Sequence, residues 1–206
     1  MTKSQLIKDV ATNKIDLEES LQRLLIITSE LDNEMISEWI ISELNGYGQD
    51  DIIPNYRKRI SYRIVYSGIN GKLKMTNQTL PLHYFSKEVR DDIDEITVKE
   101  SIKVIENIAK NGEKIGFDLT ALASDVFENT GIQCYKIFQE YSNISFEQLL
   151  SNVKTRLILF LLDLEKQFGN LDNLDIETEK ITSDKKEEVT KSFAQLFYDG
   201  KVRPDE

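Results

Sequence analysis

The chain has 206 residues, 40% hydrophobic, 9% aromatic and 30% charged, a balance that supports a packed core without disulfides and excludes wholesale disorder. Its 26 lysines and arginines stand against 36 aspartates and glutamates, a formal charge of −10. That argues against broad, sequence-independent nucleic-acid binding, which draws its affinity from neutralised phosphates.

The amino terminus is too polar for a signal peptide. A first short helix is predicted from Ser4 to about Thr12. A second opens at Asp16, whose carboxylate suits the free backbone donors of a first turn, with Glu18 and Glu19 at the positive end of the helix dipole. Leu17, Leu21, Leu24, Thr28 and Leu31 then repeat at the period of one helical face. After a break at Asp32-Asn33, a third helix carries Met35, Ile36, Trp39, Ile40 and Leu44 and ends at Asn45-Gly46; it is expected to form an antiparallel hairpin with the second.

Beyond Gly46 the pattern changes. Pro54 forbids a helix interior, and from Arg57 to Ser67 residues alternate, with Arg57, Arg59, Ser61 and Arg63 on one side and Ile60, Tyr62, Ile64 and Tyr66 on the other. This predicts a half-buried strand. Asn70-Gly71 suits a hairpin turn, with Lys72 to Thr76 as the returning strand. Phe85 to Asp92 suggests a helical turn, Asp94 to Val98 a short extended piece, and Val98, Ile102, Ile105 and Ile108 an amphipathic helix closing near Asn111-Gly112. Ala121 to Asn129 reads as helix, and Gln133 to Tyr141 reads as strand, although its alternating Tyr135, Ile137 and Tyr141 compete with a weak helical spacing. Ser145-Phe146-Glu147-Gln148 has the form of a capping box, opening a long helix along Phe146, Leu150, Val153, Leu157, Phe160, Leu164 and Phe168. Its apolar run, Leu157 to Leu162, is far short of the roughly 20 residues that cross a bilayer. Asn170 to Glu188 is polar, and Val189, Phe193, Leu196 and Phe197 mark a terminal helix that docks on its own core or on a partner.

Together these elements predict a mainly α (α+β) fold: a helical bundle with an N-terminal helical hairpin, a small antiparallel β-sheet and a long central helix. The expected organisation is a domain over 1–168, a polar linker over 169–188, and a C-terminal helix and tail over 189–206.

Catalytic signatures are sparse. Gly68-Ile69-Asn70-Gly71-Lys72 is too short for a phosphate loop, and one histidine, His83, excludes a multi-histidine metal site. Asp163-Leu164-Glu165-Lys166 loosely resembles the end of a nuclease metal site, but a helix scatters those side chains. Cys134, the single cysteine, excludes an internal disulfide and a multi-cysteine zinc site, and fits a reducing cytoplasm. No metal and no cofactor are expected.

One feature rises above this background. Ile52 through Lys87 holds no acid, yet carries Arg57, Lys58, Arg59, Arg63, Lys72, Lys74 and Lys87. A basic patch with Tyr56 and Tyr62 close by suits a phosphate-bearing or nucleobase ligand, such as a nucleotide or RNA. The same face equally suits pairing with acidic helices of this chain or of a second copy.

The residues also resemble a known family. Glu38-Trp39, Glu43-Leu44-Asn45-Gly46-Tyr47 and Ile53-Pro54-Asn55-Tyr56-Arg57 are similar to the signature of the AbiTii domain of bacterial abortive-infection systems, followed by Ser101-Ile102, Ile105-Glu106, Val153 to Leu157 and Leu164-Glu165. The resemblance covers about residues 3 to 168. It implies a cytoplasmic phage-defence setting and supplies no settled chemistry. Physically the signature reads first as architecture, with Glu43 placed to pair with Arg57.

The expected function is therefore an interaction or sensing module, with Glu43, Tyr47, Tyr56, Arg57, Arg59 and Arg63 as the ligand or partner contacts. Its expected partners are a second copy, a defence-system protein, or a nucleotide or RNA at the basic patch, and no membrane. The competing expectation is a toxin enzyme acting on RNA or a nucleotide, with the arginines gripping phosphate and Glu43 as acid or base. That reading requires Glu43, Tyr56 and Arg57 to converge in a concave pocket. A third reading is a helical scaffold that only oligomerises through the terminal helix.

Overall fold

The computed structural model describes residues 3–58, 60–94, 97–112 and 115–200. In chain order it contains α1 (Gln5–Ala11), α2 (Leu17–Thr28), α3 (Glu34–Asn45), β1 (Tyr62–Asn70), β2 (Leu73–Thr79), α4 (Lys87–Asp94) and α5 (Ile102–Asn111). There follow β3 (Ile115–Asp118), α6 (Ala123–Thr130), β4 (Gln133–Tyr141), α7 (Asn143–Phe168) and α8 (Ser183–Tyr198). The mainly helical fold with a small antiparallel sheet is thus observed. Among the described residues, no helix is long and apolar enough to cross a membrane. The chain forms two compact units, one from the segments up to Tyr56, Lys99–Asn107 and from Leu149 onward, the other from Arg57–Val98 and Ile108–Gln148.

In the first unit, local signals set the helix ends. The Asp16 carboxylate accepts from the Glu19 amide at 2.8 Å and the Asn33 side chain from the Ile36 amide at 3.1 Å, each satisfying a donor that the helix leaves open. Between α2 and α3, Asp32 takes a left-handed φ of 50° that turns the chain. Leu21, Leu24 and Ile27 of α2 and Ile36, Trp39 and Ile40 of α3 are buried, as their spacing requires. The terminal helix α8 docks on the chain's own core: the Phe193 and Phe197 rings lie 5.4 and 4.1 Å from Trp39, and Phe160 of α7 lies 5.2 Å from Phe193. The polar stretch before α8 is tied down, since Leu171 and Ile176 are buried. Ser4 links the two ends of this unit. Its hydroxyl and amide donate to Glu165 Oε1 at 2.5 and 2.6 Å, while its oxygen accepts from the Leu171 amide at 3.0 Å.

In the second unit, the sheet runs β2-β1-β4-β3, all antiparallel. Gly71, with a φ of 61°, occupies the first central position of the β1–β2 turn, where glycine carries no steric cost. Alternation divides the sheet into two faces. Ile64, Tyr66 and Ile137 point into a core closed by Phe85, Ile93, Val126 and Ile132. The opposite face carries Arg63, Val65 and Ser67 across from Glu140, Phe138 and Lys136.

Three local expectations are corrected. The first strand begins at Tyr62 and not at Arg57: Asn55–Arg57 form a 3-10 turn. The strand Ile115–Asp118 was not foreseen, since four residues are too few for periodicity to register, and it forms by pairing with β4. The long helix begins at Asn143, so Ser145 lies inside it. Ser142 Oγ accepts from the Ser145 amide at 3.3 Å, and the Ser145 hydroxyl donates instead to the Ser61 carbonyl at 2.9 Å. A tertiary acceptor has taken the side chain that the capping box would have used.

Candidate functional site

The residues of the signature motif meet inside the first unit. On α3, Trp39 and Glu43 are four residues apart and share a face. The helix ends at Gly46, whose φ of 92° excludes most side chains; a Cβ there would stand 2.9 Å from the Lys99 carbonyl oxygen. That same oxygen accepts from the Tyr47 amide at 2.8 Å, which turns the Tyr47 ring back towards α3. Tyr47 and Tyr56 both donate their phenol hydroxyls to Glu43 Oε1 at 2.7 Å, and Trp39 Nε1 donates to the Tyr56 oxygen at 2.8 Å. The Arg156 guanidinium lies 5.2 Å from the centre of the Tyr56 ring, held by its Nε bond to the Leu196 carbonyl at 2.8 Å. Glu43 has no exposed surface. Burial, and then the charges of Glu43, Glu38 and Asp51, push the Tyr198 phenol well above the usual tyrosine range. Buried among donors in this way, Glu43 organises a packed polar network.

Arg57 departs from its expected place. It is fully buried, donates from Nη1 to the Val98 carbonyl at 3.1 Å, and accepts from the Val98 amide at 3.1 Å through its own carbonyl. It is an internal clamp in a 3-10 turn, not a member of a strand's solvent face. Arg59 lies outside the described residues. Arg63 does reach solvent near the start of β1, its side chain 60% exposed, with Nε and Nη2 at 2.8 and 2.7 Å from Glu140 Oε2. Of the expected contact residues, then, Glu43, Tyr47 and Tyr56 come together in the first unit, Arg57 is buried in the second, and Arg63 reaches solvent.

A cavity of about 460 Å³ opens in the second unit where β1, β4 and the start of α7 meet. Tyr62, Arg63, Glu140, Tyr141 and Asn143 are among the residues lining it. The Tyr62 and Tyr141 rings stand edge to face at 6.1 Å. On the sheet face that carries Arg63 and Glu140, Lys136 Nζ lies 5.4 Å from the centre of the Phe138 ring. Sequence reading missed Glu140, Tyr141 and Asn143: strand register sets Glu140 opposite Arg63 across 77 positions and Tyr141 opposite Tyr62, and Asn143 follows at the start of α7. The available signal was the expected strand over Gln133 to Tyr141, which could pair with β1.

Two other motifs are structural. Glu165 anchors the amino-terminal end: burial works to raise its pKa, but bonds from Lys3 and from the Ser4 hydroxyl and amide, with the Lys3 charge, outweigh it and hold the carboxyl at about 2. His83 is exposed in a 3-10 turn, its ring edge-on to Tyr84 at 4.7 Å. Among the described residues, no group of three or more His, Cys, Asp or Glu side chains is placed to hold a metal ion.

No curated protein and no solved structure matches the chain. A family model described as AbiTii matches residues 3–190, a span that includes the Trp39, Glu43, Tyr47 and Tyr56 network. The chain belongs to the AbiTii family.

Proposed function

We propose that this AbiTii-family protein acts in phage defence by abortive infection, as a cytoplasmic interaction or sensing module that takes a phosphate-bearing ligand beside Arg63 of strand β1. The observation that carries this reading is the burial of Glu43 with one oxygen committed to two phenols. A carboxylate so enclosed is unsuited to serve as acid or base for an incoming substrate, which needs hydrogen-bond access to it. The buried Arg57 is equally unsuited to grip a phosphate. Arg63, exposed near the start of β1, retains that capacity. A second copy of the chain or another defence protein is the partner that would relay the signal.

The toxin-enzyme reading retains one observation in its favour: Glu140 and Arg63 pair at the wall of a cavity, so an acid and a cation stand where a small substrate would fit. One experiment separates the two. Wild type, Arg63→Ala and Glu43→Gln are expressed in a bacterial host under phage challenge, with growth and total RNA integrity followed together. The module reading expects protection that depends on Arg63 while RNA stays intact. Loss of RNA on induction, abolished by Arg63→Ala in a folded protein, would establish the enzyme reading in its place.

A further inference from the structure

We propose that the cavity at the β1, β4 and α7 corner is the ligand site, and that its ligand is a nucleotide-sized phosphate ester and not a nucleic-acid strand. This rests on the reading of the protein as a binder of phosphate-bearing ligands. At about 460 Å³ the cavity falls in the range of small-ligand sites. Its lining divides into the parts such a ligand needs. Arg63 spends Nε and Nη2 on a single oxygen of Glu140, which leaves Nη1 for an incoming acceptor while the pair holds the planar fork in place. Tyr62 and Tyr141, adjacent to the Arg63–Glu140 pair at the end of the sheet, also line the space, and their rings stand edge to face at 6.1 Å. Ser61 and Asn143 are also among the residues lining the space, and a hydroxyl and an amide suit ribose hydroxyls.

Charge decides between a small ligand and a strand. A nucleic-acid strand gains affinity in proportion to the phosphates that it has neutralised, each contributing about −0.7 to the salt slope for single strands. Among the described residues lining the cavity, Arg63 is the one cation, and Glu140 stands beside it on a chain of net charge −10. One guanidinium matches one phosphate group. It does not compensate the self-repulsion of a strand laid across an acidic protein.

The test is calorimetric titration of the whole chain with AMP and with ATP, beside fluorescence anisotropy of a fluorescein-labelled 12-nucleotide RNA. It uses wild type, Arg63→Ala, Arg63→Lys and Glu140→Gln, each checked for folding by circular dichroism and thermal unfolding. Saturable binding of AMP or ATP is expected, weakened at least tenfold by Arg63→Ala and partly restored by Arg63→Lys. Glu140→Gln is expected to tighten it several-fold by removing the competing charge while its amide oxygen can still accept from the fork, an effect that a merely structural ion pair does not produce. If Arg63→Ala fails to fold, Arg63→Lys decides, and binding equal to wild type overturns the proposal. Absence of nucleotide binding by folded wild type also overturns it. If RNA binds more tightly than the mononucleotides and depends on Arg63, this inference falls while the phosphate-ligand reading stands. If no probe binds, both fall.

Discussion

Tyr56→Phe probes the buried network directly, because it deletes one oxygen that serves two partners. The Tyr56 hydroxyl donates to Glu43 Oε1 at 2.7 Å and accepts from Trp39 Nε1 at 2.8 Å. A hydrogen bond to a carboxylate contributes about 1.5–3 kcal/mol, and a buried donor left without its acceptor costs about 1–3 kcal/mol more. Trp39 is buried, so water does not readily replace the lost acceptor. The expected loss is therefore about 2.5–6 kcal/mol. Tyr47→Phe removes one bond to the same Glu43 oxygen and leaves the Trp39 bond intact, so its cost is about 1.5–3 kcal/mol. Urea unfolding at pH 7, followed by tryptophan fluorescence and circular dichroism, measures both; Trp39 is the chain's one tryptophan and reports from within the network. Combining each variant with Glu43→Gln in a double-mutant cycle isolates the coupling to the carboxylate. The reasoning is refuted if Tyr56→Phe costs less than about 1 kcal/mol, or no more than Tyr47→Phe.

Four further outcomes follow from other parts of the structure. The Glu165 carboxyl is held at about 2 in the fold against 4.5 as its ordinary value, so its contribution is fully present above about pH 4.5 and is lost as the pH falls towards 2. With its side chain 12% exposed, that contribution is at most about 3 kcal/mol, and acid titration of stability should show a shallower decline for Glu165→Gln than for wild type. Phe193→Ala empties a position packed against Trp39, Phe160 and Phe197 and should lower unfolding free energy by about 3–5 kcal/mol in denaturant melts. Gly46→Ala meets both a φ of 92° and the Lys99 carbonyl at 2.9 Å, and should cost about 1–3 kcal/mol by thermal unfolding; an unchanged melting temperature would contradict the described helix exit. Gln139 is buried, and neither amide atom reaches a hydrogen-bond partner among the described residues. Gln139→Met is thus expected to stabilise the chain by about 1 kcal/mol or more, and a clear destabilisation in the same melts would show that the amide is satisfied.

The elements legible in the sequence share a physical character: their determinants lie within a few residues of one another. Asp16 and Asn33 cap helices through amides three residues on, and Gly46 ends α3. The stripe of Leu157, Phe160, Leu164 and Phe168 is buried as its period requires. Even the β4 strand, where alternation competed with helical spacing, follows from its own residues once Ile137 and Tyr141 face inward. Such features arise from side-chain period and local hydrogen bonding, and neither depends on where distant segments lie.

What tertiary structure decided is the use to which each polar residue is put. Alternation placed Arg57 on a strand face with Arg63, yet the Val98 carbonyl, 41 positions away, draws its guanidinium inside. Ser145 had the form of a cap, and the Ser61 carbonyl, 84 positions away, took its hydroxyl. Glu43 could have been a free carboxylate on a helix, but the Gly46 turn returns Tyr47 and the chain beyond Pro54 returns Tyr56 to the same oxygen. Glu140 carried no signal at all until strand register set it opposite Arg63. Backbone conformation responds mainly to neighbours along the chain, so the sequence by itself determined the helices, most of the sheet and the family. A charged or hydroxyl side chain binds whichever partner the fold brings within about 3 Å, so the tertiary structure decided which of the arginines and acids are architecture and which stand at the cavity.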